Sequence, residues 1–229
     1  MRKSILEKRE RGEKAFVLEF KRASASGFVN ESSADPQAFA ESVNEYCDAF
    51  SILTEPTTFR GNFSDSEYFL RFGKPLLMKD FVDSERIVDC GYYNNFDCIL
   101  LISDFLDTER ITTLSDYIRS RGMDVLVEFH DPALFDELKD LKNVIIGYNR
   151  RNLKTLRMEG EEEMINKMIG QTDNPFLLES GINYQKMAAM DKLDFDGYLI
   201  GEAVLKDRKI LAEIKSREVI RYDDARPDN

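Results

Sequence analysis

The sequence predicts a single (β/α)8 TIM barrel. Three observations carry that expectation. The chain has 229 residues, close to the roughly 250 that one such barrel needs. Eight short apolar runs recur along it, separated by stretches whose apolar residues return every three to four positions, an alternation of strand and helix. The runs are mostly continuous rather than alternating, which suits parallel strands covered on both faces.

In order, the strands read as FVLEF (16–20), FSILT (50–54), PLLMK (75–79), DCILLIS (97–103), DVLVEF (124–129), NVIIGYN (143–149), PFLLES (175–180) and DGYLIG (196–201). Helices are expected at PQAFAESVNEYCDAF (36–50), SERIVDCGYYN (84–94), TERITTLSDYIRSRG (108–122) and PALFDELKDLK (132–142), the last entered by Asp131 before Pro132. An open doubly wound sheet is the rival architecture. It usually carries a glycine-rich turn after its first strand, and KRASASG has one glycine. The organisation expected is a short charged segment at 1–15, one barrel at 16–215 and a polar tail at 216–229.

Composition narrows the function classes. A net charge of -11 argues against a nucleic-acid binder, which normally carries a basic face, but a locally positive pocket for a small anion is compatible with it. Cys47, Cys90 and Cys98 have no metal-motif spacing and read as buried free thiols of a reducing compartment. The start, MRKSILEKRERGEK, lacks an apolar core of the kind a signal peptide has, and no later stretch is long and apolar enough to span a bilayer. A cytoplasmic protein without membrane contact is expected. EKRERGEK mixes both signs and reads as a solvated helix.

Chemistry in such a barrel belongs at the C-terminal ends of the strands. Those ends deliver Glu19 and Lys21, Lys79 and Asp80, Glu128 and His130, Asn149 and Arg151, then Glu179 and Ser180. Alternate residues of a strand share a face, so Glu19 with Lys21, Glu128 with His130, and Asn149 with Arg151 can each point into one mouth. A lone pair of this sort is ordinarily a plain ion pair, whereas five charged ends together are costly unless paired or used. After strands seven and eight, Gly181 and Gly201 offer backbone amides at helix starts, where this fold commonly binds phosphate. His130 is the only histidine; it cannot make a zinc site alone and reads as a loop residue or a support to the site. No metal site is expected.

At these residues the chain resembles the indole-3-glycerol-phosphate synthase family. LEFKRASASG, SILTEPTTFRGNF, PLLMKDF, DCILLI, VEFH, GYNRRNL, LLESGI and LIGEAVL follow one another in the family's order, and the likeness runs from Phe16 to about Leu205. The resemblance implies a cofactor-free lyase of tryptophan biosynthesis. Its substrate would be a small phosphorylated carboxylate, 1-(2-carboxyphenylamino)-1-deoxyribulose 5-phosphate, closed to indole-3-glycerol phosphate with loss of carbon dioxide and water. It implies Lys79 as general acid, Glu128 as the carboxylate that moves protons, and Lys21 as holder of the substrate carboxylate with Glu19 as its ionic neighbour. Asn149 and Arg151 would orient the reacting centre with Glu179 beside them. Ser180 joins Arg151 as a substrate-binding position, and Phe59 and Phe81 line the apolar side. Ser26, Gly181, Gly201 and Glu202 match the phosphate site. Association with other tryptophan-pathway enzymes is the partner class it allows.

Three departures stand out. Ala25 replaces the family's proline between two serines, and Arg150 replaces an asparagine at a position whose side chain is expected to point away from its neighbours. Family members also carry a longer helical N-terminal extension that helps cover the mouth. With only Ile5 and Leu6 as large apolar residues before Glu13, the segment here is expected to bury little, leaving an open mouth and weak activity. The alternative function is therefore a catalytically weak relative that binds a phosphorylated ligand or a partner enzyme. Phosphoribosylanthranilate isomerase, a related phosphate-binding barrel, would be expected to use a cysteine and an aspartate where this chain has Glu19 and Glu128.

Overall fold

The computed structural model describes residues 1–25, 27–30, 35–151 and 162–224, the last seven by backbone alone. Eight parallel strands close in sequence order, β1 to β8, with β1 pairing β8. They are β1 (Ala15–Phe20), β2 (Ala49–Leu53), β3 (Leu76–Lys79), β4 (Cys98–Ile102), β5 (Asp124–Phe129), β6 (Ile145–Asn149), β7 (Phe176–Glu179) and β8 (Gly197–Ile200). Each falls within a residue or two of an expected apolar run.

The continuous apolar runs have a direct cause. In β1, Phe16, Leu18 and Phe20 pack outward into the large core beneath the helices. Ala15 and Val17 pack inward with Leu77, Leu126, Leu177 and Leu199. Period two is present, but both faces are apolar, so no polar alternation is visible. The inner column of each strand is what reaches the mouth: Ala15 and Val17 lead to Glu19, Leu77 to Lys79, Leu126 to Glu128, Ile145 to Asn149 and Leu177 to Glu179.

The connections follow β1 with α2 (Pro36–Val43), β2 with α3 (Glu67–Leu70), β3 with α4 (Glu85–Tyr93) and β4 with α5 (Thr108–Ser120). After them come α6 (Phe135–Leu138), α7 (Glu162–Ile169), α8 (Tyr184–Met190), α9 (Glu202–Lys206) and α10 (Lys209–Asp224). Two expected helices are shorter than their sequence patterns. The run 36–50 stops at Val43 and gives way to a 3-10 turn and β2. Pro132 opens a 3-10 turn, leaving four residues of α6. Asp35 and Asp107 cap α2 and α5 by accepting backbone N–H bonds, which satisfies donors the first helical turn leaves open. The boundary expected at 215 falls inside α10, and Arg217 donates to Asp191 at 2.7 Å. Of the cysteines, Cys47 and Cys98 are buried thiols as expected, while Cys90 is half-buried.

The first segment corrects its reading as a solvated helix. A further helix, α1 (Arg2–Glu10), closes the N-terminal end of the barrel, opposite the mouth. Met1 and Ile5 join the inner apolar column. Three of its cationic groups have fixed partners in the barrel. The Met1 ammonium lies 2.9 Å from Asp124, Lys8 lies 3.2 Å from Asp48, and Arg9 reaches Asp196 at 2.5 Å. Those aspartates also bind backbone: Asp48 accepts from Phe16 N–H at 2.8 Å, Asp124 from Arg2 N–H at 2.7 Å and Asp196 from Phe176 N–H at 2.6 Å. A local pattern of alternating sign cannot show this, because each of these aspartates lies far along the chain. The same segment therefore buries more than its two apolar residues promised.

Candidate active site

The inward columns end in a cavity of about 700 Å³ at the C-terminal mouth, lined by the expected strand ends and by Phe59, Phe81 and Phe105. At its floor Lys79 stands among three carboxylates. Its Nζ lies 2.7 Å from Glu179, 2.9 Å from Glu128 and 3.6 Å from Glu19. Lys21 donates to Glu19 at 2.7 Å. Both members of all three i,i+2 pairs line this cavity. His130 Nε2 approaches Glu128 Oε1 at 3.3 Å, and the Arg151 N–H donates to Asn149 Oδ1 at 3.1 Å.

Electrostatics follow from this enclosure. Burial alone would lower the Lys79 value, but Glu128, Glu179 and Glu19 outweigh it and hold the side chain firmly as an ammonium. Burial would raise Glu19, yet Lys21 and Lys79 keep it below the usual carboxylate range. Glu128 is held low against its burial by Lys79 and His130. Glu179 goes the other way, raised well above the usual range by burial and by Glu128. Two ammoniums with two carboxylates and one protonated carboxyl make a neutral set, the least costly state for charges so deeply placed.

Gly201 has a steric role at this point. A Cβ there would run into Glu19 Oε1 and Lys21 Nζ, so its bareness makes room for that pair. Ser180 and Gly181 both take positive φ, 62° and 63°, an unusual conformation for serine. Arg150 secures this turn by donating to Ser180 O at 2.9 Å. Its side chain does not point away from its neighbours, as expected from sequence; it ties the end of β6 to the turn after β7.

At the rim, the Glu202 carboxylate accepts from Ser24 at 3.2 Å, Arg151 at 3.3 Å and Lys206 at 2.8 Å. Burial would raise it, but Lys206, Lys21 and Arg151 hold it down at about 2. An ionised side chain repels phosphate, so only the Glu202 backbone N–H suits the anion role expected of this residue. Ser26 lies outside the described residues. Among the described residues, no group of three histidines, cysteines or acidic residues is placed to hold a metal ion.

A family model described as indole-3-glycerol phosphate synthase matches residues 2–216. The chain belongs to the indole-3-glycerol phosphate synthase family. An indole-3-glycerol phosphate synthase of Picrophilus torridus is 39% identical over 223 residues, covering 97% of this chain and 87% of that one. One of Thermoplasma volcanium is 37% identical and covers 96% and 90%. Among solved structures, 3-hexulose-6-phosphate synthase from Salmonella typhimurium superposes with a TM-score of 0.71 at 13% identity, covering 91% of this chain and 99% of that one; at that identity the likeness speaks for the barrel alone. The family match favours the synthase over the isomerase alternative.

Within this synthase-family barrel two residues escaped the sequence reading. Phe105 lies 5.6 Å from Phe81, edge to face, and Phe81 lies 6.3 Å from Phe59, so three rings form one aromatic side of the mouth. Phe81 and Phe105 are 45% and 61% exposed, a large apolar area to leave in water. Asp104 accepts both the backbone N–H and the ring of His130. Both follow β4 directly, in ISDF, where reading two residues past the apolar run would have found them.

Proposed function

We infer that the chain catalyses the synthase reaction itself: 1-(2-carboxyphenylamino)-1-deoxyribulose 5-phosphate closes to indole-3-glycerol phosphate, releasing one carbon dioxide and one water. The observation that supports it best is the buried Lys79 ammonium, facing a roomy cavity and gripped by carboxylates from β1, β5 and β7. A ring carbon is a poor nucleophile, so the ketone must be polarised by a positioned acid. Lys79 donates its proton to the ketone oxygen as the new carbon–carbon bond forms. Lys21 holds the substrate carboxylate, sharing itself with Glu19, until carbon dioxide leaves and aromaticity begins to return. Dehydration then needs an acid beside a base. Glu179, the carboxyl that keeps its proton, protonates the departing hydroxyl, and Glu128, the one held ionised, accepts the ring proton.

The remaining roles follow from position. Phe59, Phe81 and Phe105 cover the aromatic ring of the substrate. Asn149 and Arg151 orient the reacting carbons, and Ser180 lies beside them at the rim. The phosphate sits against the backbone N–H groups of Gly181, Gly201 and Glu202, with Ser26 assigned there by the resemblance. Cytoplasmic location and association with other tryptophan-pathway enzymes belong to the same reading. No helix among the described residues is long and apolar enough to cross a membrane. The test is direct: adding the anthranilate-ribulose substrate to purified protein should produce indole-3-glycerol phosphate fluorescence. Binding without product would favour the catalytically weak relative.

A further inference from the structure

One inward position on β6 carries no side chain. Gly147 stands between Ile145 and Asn149 in the inner column, in register with Glu128 of β5 and Leu177 of β7. Glycine weakens a strand, since it packs nothing and is freer in the unfolded chain. The backbone does not require it here, because φ at Gly147 lies outside the left-handed region. Close approach by another group is the usual reason for such a glycine, and the approaching atom is Glu179 Oε1. A Cβ on Gly147 would stand 2.4 Å from that oxygen and 3.5 Å from the carboxyl carbon. It would also meet Leu126 Cδ1, in the apolar column, at 3.1 Å. Gly197 on β8 differs in kind, because a Cβ there would run into the backbone carbonyl of Ala15.

The register makes this approach a crossing. Glu179 pairs with Asn149, one inward step closer to the mouth than Gly147, yet its partners lie on strands further round the barrel. Its Oε2 meets the Lys79 ammonium of β3 at 2.7 Å, and the same ammonium holds Glu128 of β5 at 2.9 Å. To reach them the β7 side chain leans over β6, and Gly147 is where it passes. No donor holds Oε1 among the described residues, so packing fixes where that oxygen lies. The slot is dry, and burial is the first cause that raises this carboxyl above the usual range.

We propose that Gly147 is a positioning residue for the synthase reaction: its missing side chain opens the passage by which the Glu179 carboxyl crosses from β7 over β6 to Lys79 and Glu128. This rests on the acid role given to Glu179 above. Gly147 touches no reacting atom and acts through that carboxyl. Exchange of this glycine for alanine falls on Glu179 rather than on the barrel, since the nearest opposing atom is the end of a flexible side chain. The strand keeps its pairing while the carboxyl is pushed off Lys79.

Gly147→Ala tests this. In turnover with the anthranilate-ribulose substrate, kcat should fall by about tenfold or more, the scale of a group displaced by about 1 Å, while KM changes by less than about twofold. In a Glu179→Gln background, which has already lost the acid, the same methyl should change kcat by less than about twofold, because both substitutions act through one group. Equal losses in the two backgrounds would mean that the methyl disturbs the strand itself, and they overturn the proposal. So does an unchanged kcat. A crystal structure of Gly147→Ala should show the Glu179 carboxyl more than about 3.2 Å from Lys79 Nζ; a contact kept at its original length overturns the idea as well. If Gly147→Ala does not fold, adding Glu179→Ala gives the methyl its room and must restore folding; a second failure counts against the passage. A wild-type protein that makes no indole product would instead sink the functional reading, and the crystal structure would still decide whether Gly147 seats Glu179.

Discussion

Lys79 and Glu179, 100 residues apart in the chain, meet at 2.7 Å on the floor of the cavity. One ammonium there serves three carboxylates from three strands, so the charge state of each depends on the others. Most consequences of substitution follow from that dependence.

Lys79→Met should reduce turnover by about a hundredfold or more, because it removes the acid aimed at the ketone. It should also leave Glu128 without its main cation and Glu19 with Lys21 alone. Both are then protonated more easily, and the variant should lose less stability at pH 5 than at pH 8. Turnover by product fluorescence and melting at the two pH values check this. Half of wild-type turnover would exclude the assigned role.

Glu179→Gln should stabilise the protein while impairing it. Burial and Glu128 keep this carboxyl protonated in the fold well above the usual range, whereas the unfolded chain ionises it near pH 4.3. Above that value the group favours the unfolded state, by an amount that grows by up to about 1.4 kcal/mol per pH unit until the folded carboxyl itself ionises. Glutamine imitates the protonated form and carries no such cost. The melting temperature should rise more at pH 8 than at pH 5, and kcat should fall. Equal shifts at both pH values would contradict the protonated Glu179.

Much of the site is legible in the amino-acid sequence alone. Glu19 with Lys21 and Glu128 with His130 are two residues apart on strands, and period two alone puts such pairs on one side of the sheet. The apolar runs mark the strands because both faces of each are covered. Asp104 is not legible in this way, since its contact with His130 crosses from one strand end to the next. Nor is the docking of Arg9 on Asp196, where local charge pattern and tertiary partner are 187 residues apart. Arg150 defeats the sequence pattern because side-chain direction at a strand's end depends on the turn beside it, here the strained one at Ser180.

Gly201→Ala should push Glu19 away from Lys21, since the added methyl occupies the space their contact uses. Overpacking of this kind costs about 1–3 kcal/mol. A higher KM is expected, because Lys21 would no longer stand where the substrate carboxylate arrives. Chemical denaturation and steady-state kinetics test both parts; an unchanged KM would remove Lys21 from substrate binding.

Arg9→Ala should cost about 2 kcal/mol, the scale of lost hydrogen bonds to a charged group, because it strips Asp196 of two donors at 2.5 and 2.6 Å. Its effect on kcat should be negligible, as α1 sits at the far end of the barrel. Urea unfolding beside turnover measures this, and a large fall in kcat with intact stability would refute it.

The anchoring of α1 also bears on how the chain matures during synthesis. The helix leaves the ribosome before any strand of the barrel, yet Asp124, the Val144 carbonyl, the Asn174 carbonyl and Asp196 are 123, 142, 165 and 187 residues behind the groups they bind. Contacts so distant in sequence form slowly and reward the chain only once the intervening loops have closed. A nascent barrel lacking β8 leaves Arg9 without Asp196, so α1 locks only when the last strand is in place. The turns of α1 thus act as a seal on a completed barrel, and their protection from amide exchange would time its closure.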